Sequence, residues 1–233
     1  MIRRLSIYLT KNRYNNGKRT NREWSEKMYH YSVEELDKNR MYKMISGSII
    51  PRAIGWITTL NEESEVVNAA PFSFTSGVSN EVPLISMAIL RKNGEPKDSA
   101  RNLLAYKNGV VHIVSSDIVD DMNETAADLK ESESEIDRTN LHLIPSKTVK
   151  TPGIKEAKIR MEVKLYDYHP VKDREGNIVT DFFFLEVTDF HFDESIFDVE
   201  REYISVQELK PVARLAGPYY ATLDEIYRKD RPK

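Results

Sequence analysis

From residue 159 the chain alternates Ile159, Met161, Val163 and Leu165 with Arg160, Glu162, Lys164 and Tyr166. A period of two is that of a half-buried strand, so 159–168 is predicted as one, with Arg160, Glu162 and Lys164 outward. Residues 172–177 end in Glu-Gly-Asn and read as a hairpin turn into a second strand over 178–192, long enough to bend or bulge. Upstream, 54–60 is β-branched and aromatic, and 61–65 reads as a hairpin loop into Val66-Val67-Asn68. The apolar runs 83–90 and 109–115 have strand length. Helical spacing over 98–106 turns Ala100, Leu103 and Leu104 inward. Further helices are predicted over 117–129 and 223–228, with a short acidic helix or turn over 132–137. Ser32-Val33-Glu34-Glu35 is a capping-box pattern opening another short helix. Hairpins dominate and βαβ alternation is absent, which predicts a mainly β fold: an antiparallel β-barrel with helices in its connections.

The 233 residues are 40% hydrophobic and 30% charged, the composition of one ordinary globular domain, expected over 29–233. Residues 1–28 differ, with eight Lys and Arg against Glu23 and Glu26. They are expected to be a basic leader without fixed structure, or sequence upstream of a start at Met28. A targeting peptide or nucleic-acid arm is disfavoured. A net charge of −3 gives no overall pull toward nucleic acid or anionic lipid, and no membrane segment is expected. There is no cysteine, which excludes disulfides, thiolate metal sites and thiol redox relays. Any redox chemistry must be carried by a bound organic cofactor. The same absence is compatible with a cytoplasmic location.

The glycines form neither GxGxxG nor GxxxxGK, and HExxH and GxSxG are missing. No two of the five histidines lie three or four residues apart, so no metal site is expected. His112, inside an apolar run, reads as a satisfied strand histidine. His191 is the one to watch for proton or substrate contact.

Three blocks carry more chemistry. In PRAIGWITTL, Arg52 offers a planar donor fork, while strand alternation sends Thr58 and Thr59 to opposite faces. In NAAPFSF, Pro71 interrupts a strand ladder, and the small Ala69 and Ala70 would let a flat ring approach the backbone. One of Phe72 and Phe74 is expected in the core. KDSARN opens the helix at 98: its free N–H groups, the Lys97 ammonium and the Ser99 hydroxyl suit a phosphate. Asp98, unsuited to an anion, would orient Lys97 or Arg52.

PRAIGWITTL resembles the PRPIAWVST-type opening of the flavin reductase-like, FMN-binding split-barrel family, which includes the flavoredoxins. NAAPFSF resembles its N-x-APFSxF segment, KDSARN its KDT-x-x-N segment, and Arg214-Leu215-Ala216-Gly217 with Tyr219-Tyr220 its closing R-L-G-G-x-x-Y motif. The four occur in the family's order, with departures at Ala53 for Pro, Ser99 for Thr and Ala216 for Gly. The resemblance implies a Greek-key split β-barrel homodimer that binds FMN non-covalently near the subunit interface. It would set Arg52, Thr58 and Thr59 along the ribityl-phosphate path, and Asn68, Ala70, Ser73 and Phe74 around the isoalloxazine. Lys97 and Ser99 would hold the phosphate, and Arg214 and Gly217 would lie near the ring or the interface.

The function expected is an FMN-dependent oxidoreductase, a NAD(P)H:flavin reductase or a flavoredoxin-like carrier, with NADH or NADPH as co-substrate and a flavin or electron-transfer protein as acceptor. No side chain is assigned as catalytic, since the flavin would carry the covalent chemistry. The rival is a non-catalytic FMN-binding or storage module. An oxidase of pyridoxamine-phosphate type and a purely structural barrel are weaker readings. Lys97→Ala is expected to weaken FMN binding by about 1.5–3 kcal/mol, the scale of a hydrogen bond to a charged group, as read by fluorescence titration.

Overall fold

The computed structural model describes residues 28–232. The expectation for the basic leader therefore lies, apart from Met28, outside the described residues. In chain order the elements are α1 (Lys38–Ser48), β1 (Gly55–Asn61), β2 (Val66–Phe72), β3 (Thr75–Gly77), β4 (Leu84–Leu90), α2 (Asp98–Tyr106), β5 (Asn108–Ile113) and α3 (Val119–Glu124). There follow β6 (Leu143–Ile144), β7 (Gly153–Ile154), β8 (Ile159–Lys172), β9 (Ile178–Phe192), β10 (Phe197–Asp198), β11 (Tyr203–Ile204), α4 (Val206–Leu209), β12 (Val212–Arg214) and β13 (Tyr220–Thr222).

Seven strands form one antiparallel sheet in the order β2-β1-β5-β8-β9-β4-β3. The strands at its two edges, β2 and β3, are separated in sequence only by Ser73 and Phe74. One short stretch of chain therefore pairs with β1 through its first half and β4 through its second, and the sheet curls into a barrel. Gly55 marks the close approach: a Cβ there would stand 2.7 Å from the Thr75 side chain and 2.9 Å from Met87 Cε. Pro71 is tolerated because β2 needs a ladder on one side only, with Trp56 opposite it.

The barrel interior is filled by Ile57, Phe72, Ile85, Met87, Ile89, Val111, Val163, Phe183, Leu185 and Val187, with Ala100 and Leu103 of α2 packed in from one end. A second core covers the outer face of β1 and β2, where Ile54, Trp56 and Ala69 meet Val114, Met122, Ile136 and Ile154. β1 is thus buried on both faces. His112 lies in this layer, fully buried: Nδ1 is 2.8 Å from Trp56 O, and Nε2 accepts the Ile154 N–H at 2.9 Å. Those partners fix the neutral Nδ1–H tautomer, and burial pushes the imidazole down to about 3. It is the satisfied strand histidine the sequence suggests.

Several expectations need correction. The helix over 117–129 is only α3, because Thr125 leaves it: its hydroxyl donates to Met122 O at 2.7 Å and accepts Trp56 Nε1–H at 2.9 Å. Residues 223–228 are not helical; Leu223 and Ile226 are exposed, so an apolar face there has nothing to pack on. The capping box at Ser32 opens only a single 3₁₀ turn (Val33–Glu35), and α1, capped by Asp37, is the helix that reading did not assign. Glu162 does not face solvent. It keeps the outward side of its strand, with Met161 and Val163 in the barrel core, but residues 147–148 fold over it and leave it 1% exposed. Burial pushes its carboxyl up, but the N–H groups of Lys147 and Thr148, the Thr148 hydroxyl and His191 outweigh that and hold it down to about 2. His191, 2.8 Å from Glu162, is engaged in this latch.

Phe183 is fully buried inside the barrel, so Phe183→Ala is expected to destabilise the protein by about 3–5 kcal/mol in a denaturant titration. Tyr166→Ala, on the exposed face of the neighbouring strand, should cost well under 1 kcal/mol in the same titration.

Candidate functional site

A cavity of about 410 Å³ opens where β2 passes the start of α2. Its walls are Asn68, Ala70, Pro71 and Phe72 from β2, residues 92–93 and 95–99 with Arg101 around the helix start, residues 125–129 after α3, and Glu135. Two of the sequence blocks singled out above, NAAPFSF and KDSARN, share this space. The link between them is a buried polar chain. Asn68 sits directly opposite Thr59 in the β1–β2 ladder. Its Oδ1 accepts the Ser99 hydroxyl at 2.7 Å, and its Nδ2 donates to Glu135 Oε1 at 2.8 Å. Glu135 Oε2 accepts the Ala69 N–H at 2.9 Å. Thr59 Oγ1 lies 3.4 Å from Asn68 Oδ1 and accepts Asn102 Nδ2–H at 3.1 Å. Burial raises the Glu135 carboxyl above its ordinary range, although the Ala69 and Asn68 donors pull the other way.

The start of α2 is left open. Lys97 is its N-cap and makes no side-chain cap, and Ser99 spends its hydroxyl on Asn68. The first N–H groups of this nine-residue helix keep no partner within it, which makes them donors for an anion. Asp98 bonds neither Lys97 nor Arg52, contrary to expectation. It pairs with Arg101 one turn on, where the two side chains meet on the same helix face. Asp128 is held by Lys92 at 2.6 Å, and the Lys97 ammonium forms no ion pair among the described residues.

Beside this cavity lies a second, of about 230 Å³, that shares Pro71 and Ala126 with it. Of the residues expected from sequence, Asn68, Ala70, Lys97 and Ser99 line the large cavity, and Ser73 and Arg214 line the second. Arg52, Thr58, Thr59, Phe74 and Gly217 line neither. Arg52 is buried as a clip: its guanidinium donates to the carbonyls of Ser46, Ile49 (2.9 Å) and Leu215 (3.0 Å) and to Ser73 Oγ (3.3 Å), and lies 5.7 Å from the Phe74 ring centre. Thr58 faces away from the cavity and donates to Pro152 O at 2.7 Å. Thr59 stands behind Asn68. Gly217, at φ +61°, turns the chain so that its carbonyl accepts Arg214 Nη2–H at 2.5 Å.

Glu135 and residues 125–129 escaped sequence reasoning. Glu135 stands in the acidic run 131–137, where composition predicts solvent. The small Ala126 and Ala127 after a short helix are the only local hint of a wall close to a ligand. Glu135→Ala strips the acceptor from both Ala69 N–H and Asn68 Nδ2. It should cost about 1–3 kcal/mol of stability by chemical denaturation, as expected for buried donors left unpaired.

The flavin reductase like domain matches residues 46–205 of the chain. An uncharacterised protein of Bacillus subtilis, YwrF, is 44% identical over 205 residues, spanning 88% of this chain and 100% of its own. Nitrilotriacetate monooxygenase component B from Bacillus cereus superposes with a TM-score of 0.84 at 38% identity, over 88% of this chain and 100% of its own. The 2-nitrobenzoate 2-nitroreductase NbaA of Pseudomonas fluorescens does so with a TM-score of 0.78 at 29% identity, over 88% and 96%. With its curled antiparallel sheet and its four sequence blocks in place, the chain is a split β-barrel and belongs to the flavin reductase-like family.

Proposed function

We propose that this protein is an FMN-binding oxidoreductase of the flavin reductase or flavoredoxin type, passing hydride or electrons between NADH or NADPH and a flavin or protein acceptor. A flavin-linked redox role is supported by the family and by the similarity to component B and NbaA. The observation that carries the reading is the meeting of an open, lysine-flanked helix start with a strand of small residues in one cavity of about 410 Å³, within the size range of cofactor sites.

The residues fit the cofactor at both ends. The Lys97 ammonium and the N–H groups of Asp98 and Ser99 would take the phosphate. Ala70, Pro71, Ala126 and Ala127 leave room for a flat ring close to the backbone, and Asn68, locked by Glu135 and Ser99, would hold its carboxamide rigidly at the wall. Bound FMN supplies the hydride and electron chemistry; the chain binds, orients and shields it. Phe72 and Leu129 add apolar side chains to the cavity walls. Arg52 acts at one remove, bracing Ser73 and the segment after β12. Dimerisation is part of this reading. Its support is the outer face of β4 and β9, where half-buried Phe182 and Phe184 stand opposite Ala88 and Ser86 with no helix among the described residues over them. The absence of cysteine fits work in a reducing cytoplasm.

The purified protein is expected to be yellow, to release FMN on denaturation as identified by mass spectrometry, and to bleach anaerobically on addition of NADH or NADPH. A colourless protein indifferent to FMN would overturn the reading. Stable FMN binding without bleaching by either nucleotide would reduce it to a binding module or a protein-fed carrier.

A further inference from the structure

The second cavity is built differently from the first. Tyr42 and Tyr220 bring their rings to its walls beside the polar Ser73 and Asn123, and Arg214 is the one charged residue among those lining it. The guanidinium lies 4.5 Å from the Tyr220 ring centre and donates once, to Gly217 O. Tyr220 in turn donates its hydroxyl to Asn123 Oδ1 at 3.0 Å, which holds the ring in place. Among the described residues no carboxylate lies within ion-pair distance of Arg214. A planar fork with five N–H donors is thus fixed at a lobe walled by two aromatic rings, with most of its donors unspent and no counter-charge beside it.

We propose that this lobe receives the second reactant of the flavin site and selects one with a flat aromatic body ending in a carboxylate, paired to Arg214. The proposal rests on the FMN reading for its redox role, since Pro71 and Ala126 form the wall common to both cavities and a ring held against Ala70 would border the lobe. The size of the lobe, about 230 Å³, suits a single substituted ring. A carboxylate matches the guanidinium with two parallel hydrogen bonds, whereas an uncharged amide offers one acceptor oxygen and opposes it with N–H groups.

Calorimetric titration of benzoate and of neutral benzamide into the purified protein, with and without added FMN, tests this. Benzoate is expected to bind at least about tenfold more tightly than benzamide, the scale of a charge-assisted hydrogen bond. Arg214→Gln should abolish that preference and Arg214→Lys should retain part of it. In the FMN-loaded protein, benzoate should also perturb the flavin absorbance band. Equal affinity for the two probes, no benzoate binding at millimolar concentration, or a preference that survives Arg214→Gln would overturn the proposal. So would displacement of benzoate by inorganic phosphate at lower concentration, which would mark a general phosphate site. A benzoate preference in a protein that takes up no FMN would sink the redox reading while leaving the carboxylate lobe in place.

Discussion

The buried carboxamide of Asn68 is the joint on which the rest of the site depends. It is the point where β2, the start of α2 and the 3₁₀ turn Glu135–Arg138 are bonded to one another. A primary amide can do this because it accepts at one end and donates at the other. Ser99 needs an acceptor and Glu135 a donor, so the two neighbours dictate which way the amide lies. In a low-dielectric wall such a chain is unforgiving: each member satisfied makes it rigid, and one lost leaves the others stranded. No buried side-chain polar atom among the described residues lacks a partner, so the chain is complete. The Asn, Ser and Thr of the sequence blocks thus shape the cavity as much as they line it.

What sequence reading captured follows from locality. β9 and α2 coincide with their expected ranges because hairpins and amphipathic helices are written in neighbouring residues. The extra turn of α3 was lost to a hydrogen bond from Trp56, sixty-nine residues away, which no local pattern could announce. Glu162 is the sharper case. Its place in an alternating strand points outward, and there a loop covers it and supplies the N–H groups that make burial tolerable. Glu135, inside an acidic run, is buried for the same kind of reason: its partners lie on β2.

At the site, residue type pointed to two stretches that meet in one cavity, the start of α2 and the small residues of β2. It was less informative about Arg52 and Thr58. Both are polar residues next to a motif, but one is consumed by backbone carbonyls and the other by a loop. Sequence spacing carries no record of which polar groups are already spent. That record exists only once β1 is sandwiched between two cores.

The carboxylate on the Ala69 N–H has one more consequence. β2 ends the sheet, and the outer rim of such a strand ordinarily offers its unused amides to any passing extended peptide. Here Glu135 occupies one of those amides and lays an acid across the rim, so a strand from another molecule would meet repulsion and a missing rung. The same side chain that steadies the cavity wall thereby takes one rung of that rim away from strand addition.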